Sequence, residues 1–211
     1  MKQRLRTQQF STGAKWLHWL VAFFMLSIIP VALGFAGVAP ADRAEAIPVP
    51  ASSGLLVLVL TLARLGWRAV YPSPPIPGGS PDWVKRGAGI GHFLLYALIL
   101  WQGALGIWMA SSSTSGIRFF NMFNLAELAP ANPAVIELLR PLHLAGAWLL
   151  VAVLIGHVGG ALWHHLKLRD DVLVRMLPFG GLWQRLTAAD YARQWRFPGS
   201  QGGNWPKRMP K

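Results

Sequence analysis

Four long apolar stretches, separated by short polar or proline-rich segments, dominate the chain. The first, Trp16 to Gly37, runs 22 residues without a charge, enough for about 33 Å of helix at about 1.5 Å per residue, which crosses a lipid hydrocarbon core. The second is uncharged from Ala46 to Ala63 and continues past Arg64 to Val70. It ends at Tyr71-Pro72-Ser73-Pro74-Pro75-Ile76-Pro77-Gly78-Gly79, where prolines cannot donate helix hydrogen bonds. A third helix ends at the run from Ser111 to Gly116, and a fourth begins at Pro141, a residue suited to a first turn. The pattern predicts spans at about 16–37, 51–70, 90–110 and 141–166. The fold class expected is an all-α integral membrane protein, a four-transmembrane-helix bundle (16–166) with a short N-terminal segment (1–15) and a C-terminal tail (167–211). No internal repeat is evident.

Composition agrees with that pattern. Only 13% of residues are charged and 53% are hydrophobic, with a mean hydropathy of +0.37, whereas a soluble domain carries roughly a quarter charged residues. The first span imitates a signal peptide through its basic start and the small residues Ala36-Gly37-Val38-Ala39. Its apolar run is longer than a usual signal core, so it is read as a retained helix.

A net charge of +12 raises nucleic acid as a partner, but its distribution argues otherwise. Four spans leave both termini on one side. Arg43, Arg118 and Arg140 fall on the opposite side with four acids, and the other 17 basic residues fall with the termini and the other four acids. The excess of Lys and Arg makes that side cytoplasmic. No nucleic-acid recognition motif accompanies the charge. Trp16, Trp19, Trp67, Trp83, Trp108 and Trp163 fall near span ends, as in an aromatic belt. The tail, with Trp183, Trp195 and Trp205 among basic residues, has the character of a segment lying on anionic lipid. Within it a short helix is expected from Ala188 to Trp195 behind Thr187, and disorder from Gly199 onward.

Without cysteine, thiolate clusters, c-type haem attachment and disulfides are excluded, so any cofactor must use histidine, methionine or oxygen. The histidines lie in the spans, where ionisable groups are costly and mark function. His143 and His157 are 14 residues apart, within about 40° of one helix face and about 21 Å apart along it. His164 continues that stripe ahead of His165. Neutral imidazole is a good axial ligand for haem iron. His18 and His157 can ligate one iron from opposite sides, or hydrogen-bond between helices. Their depths differ, since His18 is three residues from Lys15 and His157 ten from Lys167. His92, in Gly89-Ile90-Gly91-His92, is a substitute ligand, a wall of a quinone pocket, or a solvated interfacial residue. Lys15, Arg64 and Arg68 suit pairing with haem propionates or a quinone headgroup, or serve only as topology anchors.

The chain resembles the bacterial cytochrome b561 family, including its superoxide oxidase branch. The matching pieces are Lys15-Trp16-Leu17-His18-Trp19-Leu20, Arg64-Leu65-Gly66-Trp67-Arg68 leading into Tyr71-Pro72-Ser73-Pro74-Pro75, Gly91-His92 through Tyr96, His143 with His157, His164-His165, and Leu173-Val174-Arg175-Met176-Leu177-Pro178. The resemblance covers roughly residues 10–178 and rests on their order and spacing. It implies haem b held between histidines, electron exchange with ubiquinone or menaquinone, and a multi-pass protein of the bacterial inner membrane. It further implies that His18 and His157 are the axial pair of a cytoplasmic-side haem. His143 would be one ligand of a second haem, its partner coming from the start of helix two. There the pattern breaks, because Pro50 stands at the expected position and helix two has no histidine. One haem is therefore expected. Two remain the alternative, with His143 alone or with Met109 or Met122.

The function expected is a b-type cytochrome passing single electrons between superoxide or a partner dehydrogenase and quinone, as an oxidoreductase or a non-catalytic carrier. The alternative is a haem-poor or haemless scaffold subunit of a respiratory complex. Hydrolytic and nucleotide motifs are absent, and no acid lies within a span.

Overall fold

A computed structural model describes residues 9–34, 48–74, 82–114, 117–120, 122–125, 130–168 and 170–179. Four long helices account for most of them: α1 Thr12–Gly34, α2 Pro48–Val70, α3 Asp82–Ser111 and α4 Pro133–Trp163. Each is long and apolar enough to cross a membrane. Their outer faces carry exposed large apolar side chains, among them Phe23, Phe93, Trp148 and Ile155. Such a surface is stable facing lipid, where the helical backbone satisfies its own polar groups.

The apolar centre takes one buried residue from each helix: Val21, Val57, Ile99 and Leu150, with Phe24, Met25, Ile28, Leu60, Leu95 and Leu98 packed around them. Helix packing is uneven. α1 lies on α2, α2 on α3 and α3 on α4, whereas the backbones of α1 and α4 approach each other sparsely at most. Small residues permit the close crossings. A Cβ on Gly103 would reach 2.8 Å from Leu58, and one on Gly146 would reach 2.7 Å from Gln102. At Gly13 it would run into the Trp67 indole.

Helix ends have local causes. The Ser11 hydroxyl accepts from the Ala14 amide (3.4 Å) and from Trp67 Nε1 (2.9 Å), so it caps α1 and ties it to α2. α3 starts eight residues before the expected span, with Asp82 in its first turn and Lys85 paired to it at 3.1 Å. Charges end a lipid-crossing stretch without ending a helix. Likewise α4 starts at Pro133, where Asn132 accepts from the Ala134 amide at 3.1 Å, and the expected first-turn residue Pro141 lies inside it.

Opposite the described chain ends, Ile117–Phe119 (β1) pairs antiparallel with Phe123–Leu125 (β2). This hairpin packs on α2 and α3. Phe120 turns it with φ 46°, and its amide donates to Ser52 Oγ at 2.6 Å. At the other end α4 passes into a π-turn, His164–Leu168, and a short helix α5, Val172–Met176. Trp19 Nε1 donates to the Met176 carbonyl at 2.9 Å. The first part of the predicted lipid-lying tail is thus folded against the bundle, because its apolar residues find partners there. The expected helix at 188–195 and the disorder from Gly199 lie outside the described residues. Trp16, Trp83, Trp108 and Trp163 are exposed as expected of a belt, but Trp19 and Trp67 spend their indole N–H groups inside the chain.

Gly13→Ala is expected to displace Trp67 and cost about 1–3 kcal/mol, read as a lower melting temperature in detergent. Gly66→Ala, where a Cβ meets nothing within 4 Å, should leave it unchanged.

Candidate functional site

The stripe on α4 repeats every seven residues, His143, Leu150, His157 and His164, and so keeps one face turned to the bundle. α1 contributes Lys15 and His18 one turn apart, α3 His92 and Tyr96, and α2 Thr61, Arg64 and Arg68. The structure brings three of the imidazoles together. The ring centroids of His18 and His157 are 6.2 Å apart at 70°, and those of His92 and His157 are 5.2 Å apart at 71°. The depth difference expected between His18 and His157 does not keep their rings apart, since the centroids lie 6.2 Å from each other.

A single iron with imidazole on both sides sets the ring centroids about 6 Å apart, given metal–imidazole bonds of about 2 Å. His18 and His157 match that separation, and they face each other from the two helices whose backbones stay apart. His92 and His157 sit closer, at 5.2 Å, on two helices that pack against each other. His18 Nδ1 is buried without a hydrogen-bond partner among the described residues, a costly state for a polar atom unless a further group takes it up. A haem between His18 and His157 fits these residues. Among the described residues no group of three metal-ligating side chains could hold a bare ion.

Around this centre, Lys15 is buried and its Nζ donates to Gln9 Oε1 at 2.8 Å. The half-buried Arg64 stands 5.7 Å from the centroid of Tyr96, within electrostatic reach of His18 and His157. Arg68, one turn on, is exposed and lines a cavity of about 810 Å³ with Arg64, Trp67, Tyr71, Tyr96 and Met176. His164 is buried, its Nδ1 2.5 Å from Asp170 Oδ2, while His165 is exposed. Asp170 is itself held, its Oδ1 accepting from the Val172 amide at 3.1 Å. Nearby, Arg175 is buried with its guanidinium 5.8 Å from the Phe10 ring centroid, and burial pulls it below its ordinary value against Asp171 and Asp170.

No second imidazole accompanies His143 at its end of the bundle among the described residues. His143 packs against Gly106, where a Cβ would lie 3.6 Å from Nε2, and its carbonyl accepts from Gln102 Nε2 at 2.8 Å. On α2 the corresponding end offers Pro50, then Ser52 and Ser53, both buried. Met122 is exposed on the hairpin and Met109 half-buried on α3. Tyr96 and Asp170 were not singled out from sequence as site residues. Tyr96, four residues after His92 and hence on its face, carried a readable signal; Asp170 carried none, because the π-turn shifts the register.

A four-helix membrane bundle with paired imidazoles from two helices is the architecture of a membrane b-type cytochrome. The comparisons place it more closely. A profile described as "Prokaryotic cytochrome b561" matches residues 9–179. "Cytochrome b561 homolog 1" of Escherichia coli (strain K12) is 28% identical over 173 residues, 81% of this chain and 97% of the relative. "Cytochrome b561 homolog 2" of the same organism is 31% identical over 164 residues, 76% and 86% respectively. The "Probable superoxide oxidase CybB" of Yersinia pestis is 28% identical over 163 residues, 77% and 92%. The chain belongs to the prokaryotic cytochrome b561 family and is a multi-pass, haem b, electron-transfer protein of a bacterial membrane.

Removing one member of the buried His164–Asp170 pair leaves the other unpaired. Asp170→Ala is expected to cost about 1–3 kcal/mol, measured by thermal unfolding in detergent. The double variant His164→Leu with Asp170→Ala should recover part of that loss.

Proposed function

We propose that this protein is a one-haem cytochrome of the bacterial inner membrane, with its described chain ends on the cytoplasmic side, exchanging single electrons with ubiquinone or menaquinone at that face. The observation that carries the reading is the approach of the His18 ring on α1 to the His157 ring on α4, with centroids 6.2 Å apart. The orientation is supported by the 17 basic residues on that side of the four spans.

His18 and His157 hold the iron. Haem b supplies the one-electron chemistry, and the chain supplies binding, orientation and electrostatics. The cations of Lys15 and Arg64 offset the carboxylates of the cofactor in a medium where an unpaired charge is expensive. His92 stands beside His157 on α3, between the exposed Ile90 and Phe93, and so meets a quinone arriving laterally from the bilayer. Its imidazole hydrogen-bonds the quinone oxygen and passes it a proton. The layer Val21, Val57, Ile99 and Leu150 excludes water on the far side of the cluster.

Leu150 lies midway along the stripe between His157 and His143, which are about 21 Å apart on the helix. With Pro50 at the position on α2 where a second ligand would stand, no second carrier spans the rest of the membrane, and electron exchange is confined to one face. The electron comes from superoxide, which leaves as dioxygen, or from a partner dehydrogenase. The first source is favoured by the similarity to a relative named a probable superoxide oxidase. Two such electrons with two protons convert quinone to quinol.

His157→Ala should abolish the haem absorbance of the purified protein, whereas His143→Ala should retain most of it. Equal losses from the two variants would contradict the one-haem reading.

A further inference from the structure

Of the cations lining the cavity at the end of α2, the electron-transfer reading uses Arg64 but not Arg68. It holds about 810 Å³ where the apolar span gives way to Tyr71 and Pro72, between the start of α1, α3 and Met176 of α5. Arg64 and Arg68 line it one helical turn apart, and no acid is among its lining residues. The ion pairs among the described residues are those of Lys85 with Asp82 and His164 with Asp170, so neither guanidinium has a carboxylate partner there. Tyr96 adds a buried hydroxyl without a hydrogen-bond partner among the described residues. One wall is aromatic, with Trp67 and Tyr71 stacked at 4.7 Å and 29°.

The Arg68 guanidinium, without a carboxylate partner among the described residues, and the Tyr96 phenol, with Arg64 adding positive potential, select an anion with several acceptor oxygens. The volume far exceeds a single ion, and the aromatic wall sits at the membrane interface, where amphipathic rings meet lipid headgroups. We propose that this cavity binds a phosphate-bearing anion, supplied by the headgroup of an anionic phospholipid. Arg68 and Tyr96 take the phosphate, and Trp67 with Tyr71 covers its glycerol end. Arg64, further in, contributes positive potential. The proposal concerns lipid binding and stands or falls separately from the number of haems, since its readout is the lipid.

The test is native mass spectrometry of the full-length holoprotein in detergent, titrated with dioleoyl phosphatidylglycerol or dioleoyl phosphatidylcholine. One phosphatidylglycerol should be retained in preference to phosphatidylcholine, and Arg68→Gln should weaken that retention about fivefold, the effect of one interfacial cation. Tyr96→Phe should weaken it in the same direction. Arg86→Gln, an exposed arginine at the same end of the bundle outside the cavity, should leave it intact. Displacement of the lipid by millimolar inorganic phosphate would keep the phosphate site and assign it to a soluble anion. Equal retention of the two lipids, or equal losses in Arg68→Gln and Arg86→Gln, would overturn the proposal.

Discussion

An imidazole carried inside a membrane helix brings two ring nitrogens into a medium with no water to satisfy them, and much of this bundle is arranged around that cost. Each buried histidine is treated differently. His164 is answered by Asp170, which draws the segment after α4 back against the bundle. His143 packs on Gly106 beneath a carbonyl held by Gln102. His18 has no answer among the described residues for Nδ1, and its ring stands 6.2 Å from that of His157, on helices whose backbones approach each other sparsely at most. Close crossings at Gly13, Gly103 and Gly146 join α1 to α2, α2 to α3 and α3 to α4.

The two ends of the bundle differ in kind. At one end are the clustered imidazoles, Lys15, Arg64 and an anion-compatible cavity. At the other, backbone and hydroxyl groups are tied to one another: Phe120 to Ser52, and the Asn132 amide to the Ser112 carbonyl at 2.8 Å. A short hairpin packs over the part of α2 that begins with Pro50. The apolar layer of Val21, Val57, Ile99 and Leu150 separates the two. A chain of the cytochrome b561 family thus keeps the shared four-helix frame while one end is built as a closed cap, and the chemistry is gathered at the other.

Much of this was legible in the sequence. The number of spans, the stop after Val70 and the common face of His143 and His157 follow from hydropathy, proline placement and helical period. Helix starts were not, because Lys85 and Arg86 mark where lipid ends and Asp82 favours helix before them, so span and helix diverge on α3. Pro141 misled for a related reason: a proline suits a first turn but is tolerated inside a long membrane helix, and Asn132 and Pro133 are the actual start. The three-residue strands were too short to leave a periodic signal. At the site, spacing picked out the histidines but could not choose between His18 and His92 as the partner of His157. That choice rests on which helices pack, and this depends on contacts far apart in the chain. The partner of His164 was hidden by the π-turn, which breaks the 3.6-residue register that any face assignment assumes.

The central claim is that one imidazole pair, His18 with His157, holds the only haem. The most direct measurement is haem b per polypeptide in the purified protein, from the dithionite-reduced minus oxidised spectrum set against protein mass. The account predicts one. A value of two would restore a carrier beside His143 despite Pro50 and contradict it.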